Sequence, residues 1–95
     1  MKISIIGTGY VGLVTGVCLA FKGHHVLCVD KLQSIVDSIN GGIPPIYEKG
    51  LRPLLSYVLN NNSIKATKDL NQAVISSEIS IIAVGTPFVG DNIDL

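Results

Sequence analysis

The chain has little charge and no surplus of either sign. Only 15% of its 95 residues are charged, and 7 Lys plus Arg are matched by 7 Asp plus Glu. Soluble domains carry about 25% charged residues. A nucleic-acid binder needs a basic surplus gathered on one face, and zero net charge removes that case. No apolar run approaches the roughly 20 residues that span a bilayer. The opening Met1-Lys2-Ile3-Ser4-Ile5-Ile6-Gly7 breaks into glycines too early for a secretory signal, so a cytoplasmic protein with no membrane partner is expected. The two cysteines, Cys18 and Cys28, form no CxxC, and no His pair stands at ligand spacing. Neither a metal site nor a disulfide framework is expected. Repeats, low-complexity tracts and charge blocks are also missing.

What is present is apolar: 47% of the residues are hydrophobic. That is a large share for a chain whose size leaves a thin core and much surface. Some of that surface is therefore expected to be covered by other parts of a longer protein.

The apolar residues fall into alternating strand and helix patterns. Ile3-Ser4-Ile5-Ile6 is a short β-branched strand bounded by Gly7. A glycine-rich turn follows, then a helix over Leu13–Lys22 that stops at Gly23. His25–Val29 is the second strand, closed by Asp30. Leu32, Ile35, Val36 and Ile39 share one helical face, ended by Asn40-Gly41-Gly42. Pro44-Pro45 enforces extended backbone. Leu51, Leu54, Leu55, Val58 and Leu59 form another helical face, with Pro53 tolerable only in the first turn, and Asn60-Asn61-Asn62 ends it. Ser63–Thr67 is a short strand candidate. Asp69-Leu70-Asn71-Gln72 resembles a capping box opening a short helix, and Ile79–Val84 reads as a buried strand. Gly85-Thr86-Pro87 ends it.

The order β-α-β-α-α-β-α-β demands a parallel sheet with crossover helices. Right-handed crossovers lead to an α/β, Rossmann-type doubly wound parallel sheet, partial, with about four strands in the order 3-2-1-4. Ligands bind such sheets beyond the carboxyl ends of the strands, where the winding reverses. Two segments meet there, Gly7–Gly12 and Gly85–Pro87.

Gly7-x-Gly9-x-x-Gly12 is weak by itself in a chain with 10 glycines. Its context is not. It follows a strand, opens a helix, and Asp30 ends the next strand eighteen residues after Gly12, the full dinucleotide fingerprint. Gly7 permits the tight turn, Gly9 lets backbone approach a pyrophosphate, and Gly12 lets helix and sheet pack closely. The helix N-terminus offers N–H donors and the positive end of its dipole. Asp30 can accept both adenosine ribose hydroxyls, and its charge opposes a 2′-phosphate, which favours NAD over NADP. Lys31 beside it can meet a phosphate and weakens that preference. Flavin adenine dinucleotide shares the fingerprint and stays open, whereas a Walker loop is excluded because GxxxxGK[ST] does not occur. Thr86, at the cleft, offers a hydroxyl to a cofactor ribose or phosphate, or simply ends a strand.

Three separated stretches resemble the UDP-glucose/GDP-mannose dehydrogenase family. They are Met1 to Val14, Ile39 to Leu51 with its Pro45-Ile46-Tyr47-Glu48 segment, and Val84-Gly85-Thr86-Pro87 followed by Asp91 and Asp94-Leu95. Tyr47 is closer to the UDP-glucose branch than to the GDP-mannose one. Lys49 stands where the family usually has proline, and Phe88 where a smaller or polar residue is common.

The resemblance implies an NAD-dependent enzyme that oxidises the C6 alcohol of UDP-glucose twice to give a uronic acid. Cofactor contacts would then fall on Gly7, Gly9, Tyr10, Val11, Gly12, Asp30, Lys31 and Thr86. It implies an incomplete N-terminal NAD-binding domain over residues 1–95, with a homodimeric full-length enzyme. It also implies a catalytic thiol, with Lys and Asp helpers, in a later domain. Cys18, grouped with Val14, Val17 and Phe21, and Cys28, between Leu27 and Val29, are expected to be core residues. His24 and His25 are expected to be solvated, and Tyr47 and Glu48 to anchor their loop. Two rivals stay open. One is a regulatory NAD-sensing module, similar to potassium-uptake regulators, and the long stretch from Asp30 to Ser63 speaks against it. The other is a different NAD dehydrogenase, acting on GDP-mannose, a UDP-N-acetyl-hexosamine or a hydroxy acid.

Overall fold

A computed structural model describes residues 1–7, 9–45 and 48–83. The expectations on Tyr47 and on Val84 to Leu95, Thr86 included, lie outside the described residues. Four strands and four helices follow one another: β1 (Lys2–Ile6), α1 (Tyr10–Phe21), β2 (His25–Val29), α2 (Gln33–Asn40), α3 (Leu51–Asn60), β3 (Ile64–Thr67), α4 (Leu70–Ser76) and β4 (Ile79–Ile82). The strands form one parallel sheet in the order β3-β2-β1-β4, as the alternation demands.

Pleating divides the strand residues between two faces. Ile3, Ile5, Val26, Cys28, Ile64 and Ala66 are buried in one core with Leu13, Val17 and Ala20 of α1, Val36 and Ile39 of α2, and Leu51, Leu55 and Val58 of α3. Right-handed crossovers put those three helices on the same side of the sheet. α4 returns across the other side and buries Ala73 there, where the Ser4 and Ser80 hydroxyls meet at 2.8 Å. Fully burying a side chain such as Leu55 contributes about 2–3 kcal/mol.

Three helices stop in the same way. α1 ends at Lys22 with Gly23 at φ 106°, α2 at Gly41 with Gly42 at φ 84°, and α3 at Asn61 with Asn62 at φ 59°. In each, the left-handed residue donates three residues back and the next one donates five back. For α3 the bonds are Asn62 N to Leu59 O at 3.0 Å and Ser63 N to Val58 O at 2.9 Å. This double bond satisfies carbonyls that would otherwise lack partners. Pro53 lies in the first turn of α3, where its missing N–H costs nothing.

Several expectations are corrected. α1 begins at Tyr10 rather than Leu13, because Gly9 is its N-cap. Its inward face runs through Leu13, Val17 and Ala20, leaving Cys18 and Phe21 exposed. α1 is apolar almost all round, so its periodicity singles out no face. Leu32 is the N-cap of α2 and is exposed, not part of its buried stripe. Asp69 accepts from Gln72 N at 3.0 Å, but its own N–H donates to Thr67 Oγ1 at 3.1 Å, so the cap is one-sided. β4 is not buried: Ile82 is 74% exposed, since β4 pairs only with β1 among the described strands. Nδ1 of His24 is enclosed with no hydrogen-bond partner among the described residues, contrary to a solvated side chain.

The outer edge of β3 is covered by one side chain. Asn40, the last residue of α2, donates from Nδ2 to Ala66 O at 3.0 Å and accepts from Ala66 N at 2.8 Å. Its amide stands in for a neighbouring strand and quiets an otherwise free edge. This holds the carboxyl end of β3 beside that of β2.

Candidate dinucleotide site

The site is built where β1 turns into α1. Gly7 keeps β1 in register through its N–H, which donates to Val29 O at 2.8 Å, and turns the chain at φ 101°. That left-handed conformation strains any residue with a Cβ. Gly9 follows as the N-cap, and its carbonyl accepts from Leu13 N at 2.9 Å. The first amides of a helix have no intrahelical acceptor, and Gly9 has no side chain to cap them. A methyl added to Gly9 meets none of the described atoms within 4 Å.

Gly12 behaves oppositely. A methyl there would be driven into the carbonyl oxygen of Gly7 and would reach Cβ of Ala83 at 3.2 Å. Gly16, which the sequence did not single out, makes a milder close approach one turn later, with the Cys28 side-chain Sγ at 3.2 Å from a hypothetical Cβ. The spacing of four from Gly12 on one helix was its only signal. Together the two glycines seat α1 against β1 and β2. Tyr10 is the first residue of the helix, and Val11 is exposed on its first turn.

Beside this turn, a cleft of about 300 Å³ opens at the carboxyl ends of β1, β2 and β3, lined by Ile6, Gly7, Val29, Asp30, Lys31, Lys68 and Leu70. Its walls are apolar and its charged groups are Asp30, Lys31 and Lys68. Asp30 is half-buried, and its Oδ1 accepts from Leu32 N at 2.9 Å, which fixes the turn after β2. Its N–H donates to Thr67 O at 3.1 Å, tying β2 to β3 at the cleft. Gly7, Asp30 and Lys31 are thus brought together, with Gly9, Val11 and Gly12 on the adjoining turn. Lys68 is an addition. Val29 pairs with Thr67, so Lys68 lies one register step beyond, across from Asp30.

The thiols stand apart from this site. Burial pushes the Cys28 thiol up to about 12. Cys18 is exposed, eight residues along α1 from Tyr10, or about 12 Å of helix rise. A thiol reagent at neutral pH is expected to label Cys18 in the native protein and Cys28 only on unfolding, which mass spectrometry of the labelled peptides checks. The sign of the pH dependence follows. Above about 9 the unfolded Cys28 loses its proton while the folded one keeps it. Its contribution is full below that value and is lost as pH rises from about 9 to about 12. Urea unfolding of wild type and Cys28→Ala across that range, with Cys28→Ala losing less stability at high pH, measures it.

The parallel sheet, the glycine turn against it and the cleft that holds Asp30 define a Rossmann-type dinucleotide-binding module. All 95 residues match the model of the UDP-glucose/GDP-mannose dehydrogenase family, NAD binding domain, and the chain belongs to that family. It is 47% identical over 87 residues to UDP-glucose 6-dehydrogenase of Rhizobium meliloti, covering 92% of this chain and 20% of that protein. A ternary complex of GDP-mannose dehydrogenase from Pseudomonas aeruginosa superposes with TM-score 0.89 at 45% identity, over 92% of this chain and 20% of that one. A UDP-glucose dehydrogenase from Pyrobaculum islandicum gives TM-score 0.89 at 38% identity, over 95% and 21%. The chain therefore spans about a fifth of the relatives it matches. No helix among the described residues is long and apolar enough to cross a membrane.

Proposed function

We propose that this chain holds NAD for a cytoplasmic nucleotide-sugar dehydrogenase that converts the C6 alcohol of UDP-glucose to a carboxylate. The observation that carries the cofactor half is the contrast within the glycine turn: a Cβ at Gly12 collides with Gly7, while a Cβ at Gly9 meets nothing among the described residues. The first glycine contact is packing. The second leaves room for a pyrophosphate against the amides of α1. In this reading Gly7, Gly9 and Gly12 line the pyrophosphate, and Tyr10 and Val11 lie on the same cofactor turn. Asp30 accepts the ribose hydroxyls with Lys31 beside it, and Thr86 meets the cofactor from the strand exit.

NAD supplies the hydride acceptor. Oxidation of a primary alcohol to a carboxylate removes four electrons, so two NAD are reduced per sugar and one water is consumed. The chain's own residues bind and orient the dinucleotide. The groups that remove the proton and hold the sugar belong to further domains of a homodimeric protein, because the buried Cys28 and the distant Cys18 are unsuited to act at the cleft.

UDP-glucose rests on the Tyr47 segment and on the 47% identity to the Rhizobium meliloti enzyme. The 45% identity to a GDP-mannose dehydrogenase is close behind and supports that sugar as the second reading. Incubating a protein that carries this chain with NAD and each sugar nucleotide, and following NADH absorbance, tests both. Two NADH per UDP-glucose are expected. Turnover of GDP-mannose alone overturns the assignment of sugar, and no NADH with any sugar overturns the activity.

A further inference from the structure

The segment from Asp30 to Asn40 is fastened at both ends to two successive residues of β3. At its start, Asp30 N donates to Thr67 O at 3.1 Å. At its end, which is the last residue of α2, Asn40 donates from Nδ2 to Ala66 O at 3.0 Å and accepts from Ala66 N at 2.8 Å. Inside the segment, Asp30 Oδ1 accepts from Leu32 N at 2.9 Å, at the N-cap of α2. Asp30, α2, Asn40, Ala66 and Thr67 thus close a ring of covalent and hydrogen bonds. Asp30 is its acidic member, and it lines the cleft, whereas Asn40 does not.

The residues of a strand alternate in the side to which they turn their backbone groups. The carbonyls of Ser63 and Thr67 accept from Val26 and Asp30, so Ile64 and Ala66 turn their N–H and C=O away from β2. Ala66 is the one nearer the cleft, and Asn40 meets both of its groups. β3 has only four residues, and short strands open from their ends. Opening at this end moves Thr67 O, and with it the backbone of Asp30. The contact calls for a carboxamide, which is neutral and offers a donor and an acceptor together. A carboxylate offers acceptors alone and sets its charge against Ala66 O.

We infer that Asn40 is a positioning residue for dinucleotide binding: through Ala66 and Thr67 it holds Asp30 where the carboxylate meets the adenosine ribose. The inference deepens the proposed function and rests on Asp30 as the ribose acceptor. Asn40 itself touches no ligand. Its effect on binding passes through Asp30 and vanishes when Asp30 has no carboxylate.

A double-mutant cycle in the full-length protein tests this. NAD affinity is read by NMR titration, which reaches weak binding, and folding by thermal unfolding. Asn40 is exposed, so its truncation opens no core cavity and N40A is expected to fold. N40A is expected to bind NAD about tenfold more weakly than wild type, at a temperature where both are fully folded. N40D is expected to lose at least as much at neutral pH, although it keeps the acceptor for Ala66 N. In the Asp30→Ala background, N40A is expected to change NAD affinity by less than about twofold. If N40A does not fold, N40D in the two backgrounds gives the same comparison. An equal loss in both backgrounds, no loss in either, or an N40D protein that binds NAD as wild type does overturns the inference and leaves the cofactor site intact. Failure of wild type to bind NAD, or wild-type affinity in Asp30→Ala, overturns the reading of the cleft and the inference with it.

Discussion

Gly12→Val is expected to destabilise the protein by about 3 kcal/mol or more and to abolish NAD binding. The argument is steric. The first carbon of any side chain at Gly12 enters the carbonyl oxygen of Gly7, and the next neighbour is the Ala83 methyl carbon at 3.2 Å. Neither obstacle is the flexible end of a side chain. Gly7 cannot retreat, because its N–H is bonded to Val29 O at 2.8 Å and its φ of 101° is already one that only glycine adopts easily. Relief must come from α1 lifting off the sheet, which opens the contacts of Leu13 and Val17, both fully buried. Lifting the helix also moves the amides that face the pyrophosphate. Gly9→Ala is the control. It meets no described atom within 4 Å and its φ is −67°, so its stability is expected to change by less than about 0.5 kcal/mol while NAD affinity falls. Thermal unfolding and fluorescence titration with NAD separate the two. A Gly12→Val protein with wild-type stability removes the packing argument.

The contrast between Gly9 and Gly12 also shows what the sequence could and could not convey. The glycine spacing and the acid ending β2 pointed to the turn because local chemistry demands glycine there. The sheet order followed from the alternation of elements and the handedness of crossovers. Element ends carried by left-handed residues, such as Gly23 and Asn62, were legible for the same local reason. The inward face of α1 was not, because valine, leucine, cysteine and phenylalanine surround the whole helix and no period selects Leu13 over Val14. Which face turns inward depends on Gly12 and Gly16 meeting the sheet, a tertiary fact.

Long-range polar contacts were hidden more completely. Asn40 and Ala66 are 26 residues apart, and their paired hydrogen bonds leave no trace in local pattern. Lys68 joined the cleft only once the register of β3 on β2 was known. Strand burial depends on neighbours. Ile79–Ile82 has the composition of a central strand, while the expected order 3-2-1-4 leaves the fourth strand as a hydrophobic edge; among the described strands β4 stands there, with Ile79 and Ile82 exposed. Composition reports what a strand is suited to pack against. It does not report which neighbour is present.

Asp30→Ala is expected to weaken NAD binding about a hundredfold, the loss of two hydrogen bonds to a charged acceptor. Its carboxylate also serves the fold, since Oδ1 accepts from Leu32 N at 2.9 Å. That amide is exposed, and water replaces the lost acceptor, so stability is expected to fall by less than about 1 kcal/mol. Asp30→Asn separates the two roles. Its amide oxygen keeps the bond to Leu32 N, its charge is gone, and one of its two terminal atoms becomes a donor. NAD affinity is then expected to fall by about tenfold, between wild type and alanine, with stability close to wild type. The graded order of wild type, asparagine and alanine distinguishes a carboxylate that grips the ribose from one that only shapes the turn. A turn-only role predicts that asparagine binds NAD as wild type does. Equal NAD affinity in all three proteins, measured by titration at one salt concentration, would remove Asp30 from the site.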